Sequence, residues 1–209
     1  MSSCEHCVTT VKHEGTPTDA FGAHYINNQL LADAYAENGY HVFVPDLFNG
    51  HPLTDTMLAD PKAQTRPVID TILTTLRTRG ITSFGVVGYC FGGRYSWDLA
   101  LDGVEGVKVL ALSHPSLLKI PEDIEAFKQR SRVPLLLNVC DVDHQYGPEA
   151  QKIGDELLGN GTYTPGYKRT FWPGCEHGFA VRGNLSKPEV VAGKEGAFKA
   201  SVEWLRQYL

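Results

Sequence analysis

Five apolar or β-rich runs, "YHVFV", "FGVV", "VKVLAL", "VPLLLNV" and "YKRTFW", recur along the 209 residues, with helix-period segments between them. Short continuous runs of this kind read as strands buried on both faces, and a helix between two of them joins the pair in parallel. The alternation predicts an α/β fold, a mainly parallel sheet flanked by helices on both faces. Ligands are then expected at the carboxyl ends of the strands.

The helical segments carry their own signals. Ile26, Leu30, Leu31, Ala34 and Tyr35 form an apolar face that stops at Gly39, a natural left-handed cap. Val68, Ile69, Ile72, Leu73 and Leu76 form a second, closing near Gly80, and Ala197, Phe198, Val202 and Leu205 mark the closing helix. Further helices are expected over about 92–101, 121–129 and 148–158. Residues 1–18 are polar and without periodicity, so they read as an amino-terminal arm, and 19–209 as one domain.

Composition narrows the partners. The net charge is −5 and the basic residues are scattered, so the stripe that binds a phosphate backbone is missing and no nucleic acid is expected. No apolar stretch approaches the roughly 18 residues that cross a bilayer, and "MSSCEHCVTT" lacks a signal peptide's layout, so neither a membrane association nor any location but the cytoplasm is expected. Five cysteines, an odd number, read as thiols. Cys4-x-x-Cys7, with His6 and His13 nearby, lacks the second close-set pair a structural zinc site needs. No metal and no cofactor is expected.

Against that background "GVVGYCFGGRY", residues 85–95, stands out. Gly88-Tyr89-Cys90-Phe91-Gly92 has the small-x-nucleophile-x-small form of a nucleophile elbow, with strand before it and helix after. Cys90 would then occupy a sharp turn at the top of the sheet. The Phe91 amide, at the start of the following helix, would face an oxyanion. A thiol attacks only as thiolate, so Cys90 needs a base. His177, in the Gly-flanked loop after "YKRTFW", has the required place in chain order. The acid should follow "VPLLLNV", where "CDVDHQYG" offers Asp141 and Asp143. Asp143 lies farther past the strand end and is favoured, with Asp141 as a loop brace. Arg94 reads either as an aid to thiol ionisation or as a helix-surface ion pair. "SHPS" brings His114 or Ser116 to the pocket edge.

The segments "HEGTPT", "DAFG", "NNQLLADAYAENGYHVFVPDLFNG", "GVVGYCFGGRY", "SHPS", "DVDHQYGPEA" and "HGFAVRGN" resemble the dienelactone hydrolase family of α/β-hydrolases, its fungal members above all. The resemblance implies a single-domain hydrolase that cleaves a small lactone or ester through Cys90, His177 and Asp143 and a thioester intermediate. It further implies Ala20 as second oxyanion amide, and Asp19 and Arg182 at the substrate, with Arg182 gripping a carboxylate of an anionic ligand; Tyr89, an aromatic bordering a strand end, reads as lining an apolar substrate pocket. Family members are longer. Here "HEGTPT" runs straight into "DAFG", and "TTVKHEGTPT" has no β-pattern, so early strands are expected to be missing. Arg66 is the candidate for a second substrate-binding arginine. A thioesterase or general carboxylesterase with the same triad, and an inactive shortened relative that only binds a ligand, are the alternatives. Both monomer and homodimer remain open.

Overall fold

The computed structural model describes residues 12–15, 20–48, 50 and 61–209. Its strands are β1 (Lys12–Gly15), β2 (Tyr40–Phe43), β3 (Phe84–Tyr89), β4 (Val107–Ser113), β5 (Leu135–Val142) and β6 (Tyr167–Glu176). They form one six-stranded sheet in the order β2-β1-β3-β4-β5-β6, parallel at every pairing. The helices are α1 (Ile26–Glu37), α2 (Pro61–Thr78), α3 (Phe91–Leu101), α4 (Glu122–Arg130), α5 (Pro148–Leu158), α6 (Phe179–Arg182) and α7 (Pro188–Tyr208). No helix among the described residues is long and apolar enough to cross a membrane.

Strand alternation sorts the core into two layers. Val86, Leu110, Leu112, Leu135, Leu137 and Val139 point to the face covered by α2, α3, α4 and α5. Val87, Val109, Ala111, Leu136 and Cys140 point to the other face, under α1, α6 and α7. Both faces are sealed, which is why β3 is buried along its whole length and reads in sequence as an unbroken apolar run. The chain passes from β1 outward to β2, then back across to β3 on the opposite side of β1. That reversal makes a switch point between β1 and β3, the place where ligands are expected to bind in open α/β sheets.

Two expectations need correction. Lys12–Gly15, read as part of a patternless arm, forms β1 and fills the slot between β2 and β3. It pairs through its backbone at four positions with β2 and two with β3, a pairing that an apolar period is not needed to form. The face assigned to α1 is also rotated. Ile26 and Leu30 are 57% and 58% exposed, while Asn28 and Tyr35 are buried, with Leu31 packed partly beneath. The helix instead turns Asn28 inward, where its amide donates to the Gly22 carbonyl at 2.7 Å. Gly39 does take the left-handed conformation, with φ +90°.

Candidate active site

Cys90 stands between β3 and α3 with φ 48° and ψ −116°. A side chain at positive φ is strained, by roughly 1–3 kcal/mol, and persists only where neighbours impose it. Here the Cys90 amide donates to the Ser113 carbonyl at 3.3 Å, and its carbonyl accepts from the Gly93 and Ser116 amides, both at 3.0 Å. The turn also needs bare backbone around it. A Cβ at Gly88 would lie 2.5 Å from Ser96 Oγ and 2.9 Å from Gly93 Cα, and one at Gly93 would lie 2.9 Å from Pro115 Cβ. Gly93 was not singled out by the sequence pattern, which placed the second crowded glycine at Gly92. Phe91 begins α3, and the first amides of a helix have no intrahelical acceptor.

Three strand ends deliver the other groups. After β6, Gly178 (φ +94°) turns the chain into α6 and holds His177 over the thiol, with Nε2 3.2 Å from Cys90 Sγ. After β5, Asp143 Oδ1 lies 2.9 Å from His177 Nδ1 and also accepts from the Gln145 and Tyr146 amides at 2.8 and 3.1 Å. The two loops are tied together by the His177 amide, which donates to the Val142 carbonyl at 2.9 Å. Asp141 accepts from the Gly174 amide at 2.5 Å and braces the ends of β5 and β6. After β4, Ser116 Oγ reaches both Cys90 Sγ and His177 Nε2, at 3.4 Å each.

Electrostatics favour a charged pair. Burial opposes ionisation of Cys90, but hydrogen bonds from His177 and Ser116 and the positive charges of His177 and Arg182 hold the thiol below its ordinary value. Burial likewise disfavours the imidazolium, yet Asp143 and Cys90 outweigh it and push His177 up to about 9. Asp143 is raised by burial but lowered further by His177 and the two loop amides, so it stays a carboxylate. The fully buried His114 ring sits 5.0 Å from that of His177, and burial together with the His177 charge keeps it neutral.

The remaining expected residues separate into two groups. Arg182 projects its charge at Cys90 and places its guanidinium 5.2 Å from the Phe21 ring. Ala20 packs against the cluster that contains Cys90 and Phe91. Tyr89, expected at the substrate, is instead buried on the opposite face, where its hydroxyl meets that of Tyr35 at 2.8 Å. Adjacent strand residues point to opposite faces, so Tyr89 is turned away from Cys90 by the pleat itself. Arg66 is taken up by Asp70 and Asp102 at 2.8 and 2.6 Å, and Arg94 by Asp98 at 2.7 Å and by Asp123. Cys140 and Cys175 are buried thiols, raised above the ordinary range first by burial and then by nearby acidic groups. Asp19, Cys4 and Cys7 lie outside the described residues. Sequence reasoning brought Ser116 no closer than the pocket edge. Its signal was position: "SHPS" ends the strand beside the elbow.

The sequence model of the dienelactone hydrolase family matches residues 17–209. Hydrolase pyvD of Aspergillus violaceofuscus is 32% identical over 203 residues, covering 92% of this chain and 79% of that one. Dienlactone hydrolase 1 of Gibberella moniliformis is 30% identical over 210 residues, covering 91% and 77%. Among solved structures, an α/β-hydrolase enzyme from a Medee basin deep-sea metagenome superposes with a TM-score of 0.70 at 13% identity, covering 97% and 86%. With its parallel sheet, its elbow and this match across nearly the whole described domain, the chain belongs to the dienelactone hydrolase family and carries the α/β-hydrolase fold.

Proposed function

We propose that the chain hydrolyses a small lactone or ester with Cys90 as nucleophile, His177 as proton carrier and Asp143 as the carboxylate that orients the imidazole. Family membership makes it a carboxylic ester hydrolase of the carboxymethylenebutenolidase type. The observation that carries the finer reading is the continuous chain of contacts from Sγ to Nε2 at 3.2 Å and from Nδ1 to Oδ1 at 2.9 Å.

In the first half-reaction the Cys90 thiolate adds to the substrate carbonyl carbon, and the carbonyl electron pair moves to oxygen. The Phe91 amide, with that of Ala20, receives this oxyanion. Collapse of the adduct breaks the carbon–oxygen ester bond, and the imidazolium of His177 gives its proton to the departing alkoxide. With a lactone the alcohol stays attached to the acyl group. His177, now neutral, takes a proton from water, which attacks the thioester; the thiolate departs and the carboxylic acid leaves. Asp143 fixes the tautomer with hydrogen on Nδ1 throughout and stabilises each imidazolium. Arg182, within electrostatic reach of Cys90, favours an anionic substrate and holds its carboxylate through the planar fork of its guanidinium.

The test compares dienelactone, p-nitrophenyl acetate and an acyl-thioester as substrates, with mass spectrometry of the acylated protein. Acylation on Cys90, turnover lost in Cys90→Ala and preference for dienelactone support the reading. Preference for the thioester moves the substrate class, and acylation of another residue overturns the assignment.

A further inference from the structure

Ser116 Oγ, Cys90 Sγ and His177 Nε2 form a nearly equilateral triangle, with sides of 3.4, 3.4 and 3.2 Å. The sequence places Ser116 only at the pocket edge, in the loop after a different strand, and does not bring its hydroxyl to both of these atoms. Its place is nonetheless secured by backbone: the Ser116 amide donates to the carbonyl of Cys90 itself, at 3.0 Å. The serine is buried, and in the thiolate–imidazolium state both of its neighbours constrain the hydroxyl. The thiolate is only an acceptor and Nε2–H is only a donor. One proton and two lone pairs satisfy both: the hydroxyl donates to Sγ and accepts a share of the Nε2–H that also reaches Sγ.

We infer that Ser116 is a further catalytic residue, whose hydroxyl bridges the Cys90 thiolate and the His177 imidazolium and reverses direction once His177 has given up its proton. In the thioester the sulfur is no longer an anion, and neutral Nε2 becomes the better acceptor, so the hydroxyl turns to donate to it. No atom is transferred through Ser116; only the rotor moves. Other groups facing the pair are Arg182 from α6, Asp143 behind His177, the neutral His114 ring beside it and the His144 ring, 5.4 Å from that of His177.

This inference rests on the proposed triad, and its test separates the two. Iodoacetamide alkylation of the Cys90-containing peptide is followed against pH in the wild type and in His177→Ala, Ser116→Ala and Ser116→Thr. The expected result is a wild-type midpoint below that of an ordinary thiol, raised by about half a unit to one unit in Ser116→Ala, a three- to tenfold loss of labelling on the low-pH limb, and restored in Ser116→Thr. The Ser116→Ala change removes one oxygen and leaves the loop's backbone bond intact, and a thermal melt checks that the variant is folded. A midpoint depressed in the wild type, lost in His177→Ala and unmoved in Ser116→Ala overturns the role of Ser116 alone. An ordinary midpoint in the wild type, equal in His177→Ala, overturns the triad.

Discussion

The sheet on either side of the β1–β3 boundary is built differently. From β3 onward, β3, β4, β5 and β6 run six to ten residues, and six consecutive positions pair between β3 and β4. Ahead of β3, β1 and β2 have four residues each, β1 meets β3 at two positions, and α1 turns Ile26 and Leu30 to solvent. Every member of the Sγ–Nε2–Oδ1 chain hangs from the end of β3, β5 or β6, with Ser116 after β4. The leading half contributes the surroundings: Ala20 beside the core under the elbow and Phe21 against Arg182. The proposed nucleophile, base and acid therefore depend on the deeply paired part of the sheet, while the proposed second oxyanion amide lies in the lightly paired part.

The sharpest way to break this division is at the thiol. Cys90→Ala is expected to lower ester turnover by about a thousandfold or more, and His177→Ala by about a hundredfold or more, with little change in melting temperature. An active His177→Ala protein would remove the second half of the molecule as the seat of the chemistry. The pH profile of acylation tests the same pair. Activity should rise as pH passes the depressed value of Cys90 and fall as it passes about 9, where His177 loses the proton it must give to the leaving group. Packing offers the next contrast. Leu110→Ala, in the centre of β4, should cost about 2–5 kcal/mol by denaturant unfolding. Glu14→Pro should cost about 3 kcal/mol, since Glu14 is paired to both β2 and β3 and proline has no amide to give. An unchanged melt for that variant would show that the slot does not need this segment. Least of all, Leu30→Ala should shift stability by no more than about 0.5 kcal/mol.

What was legible in the sequence follows the same line. Cys90, Asp143 and His177 could be read because each sits where glycines or turn residues interrupt a buried strand, and chemistry restricts which residue types can stand there. β3, β4 and β5 announced themselves through burial on both faces, and β2 and β6 through their aromatic and β-branched residues. β1 did not, because "KHEG" is held by the backbone of its neighbours and its residues carry no period of their own. The face of α1 was misjudged for a related reason: Asn28 is polar, yet a carbonyl at Gly22 makes it the better inward residue. Tyr89 was misplaced by proximity along the chain, since one step in a strand reverses direction. For Ser116 the sequence reached only the pocket edge, because its contact with the thiol comes from a register between β3 and β4, which pairs Tyr89 with Ser113 and so sets the following loop against the thiol.

The contact between Tyr35 and Tyr89 fastens the two halves at a telling point. Tyr89 directly precedes Cys90 in the chain, and its phenol reaches Tyr35 of α1, while its ring lies 6.2 Å from that of His114, just past β4. A shift of that outer helix would be felt directly at the residue preceding Cys90, so the lightly paired half of the sheet has a hold on the backbone that enters this strained bend.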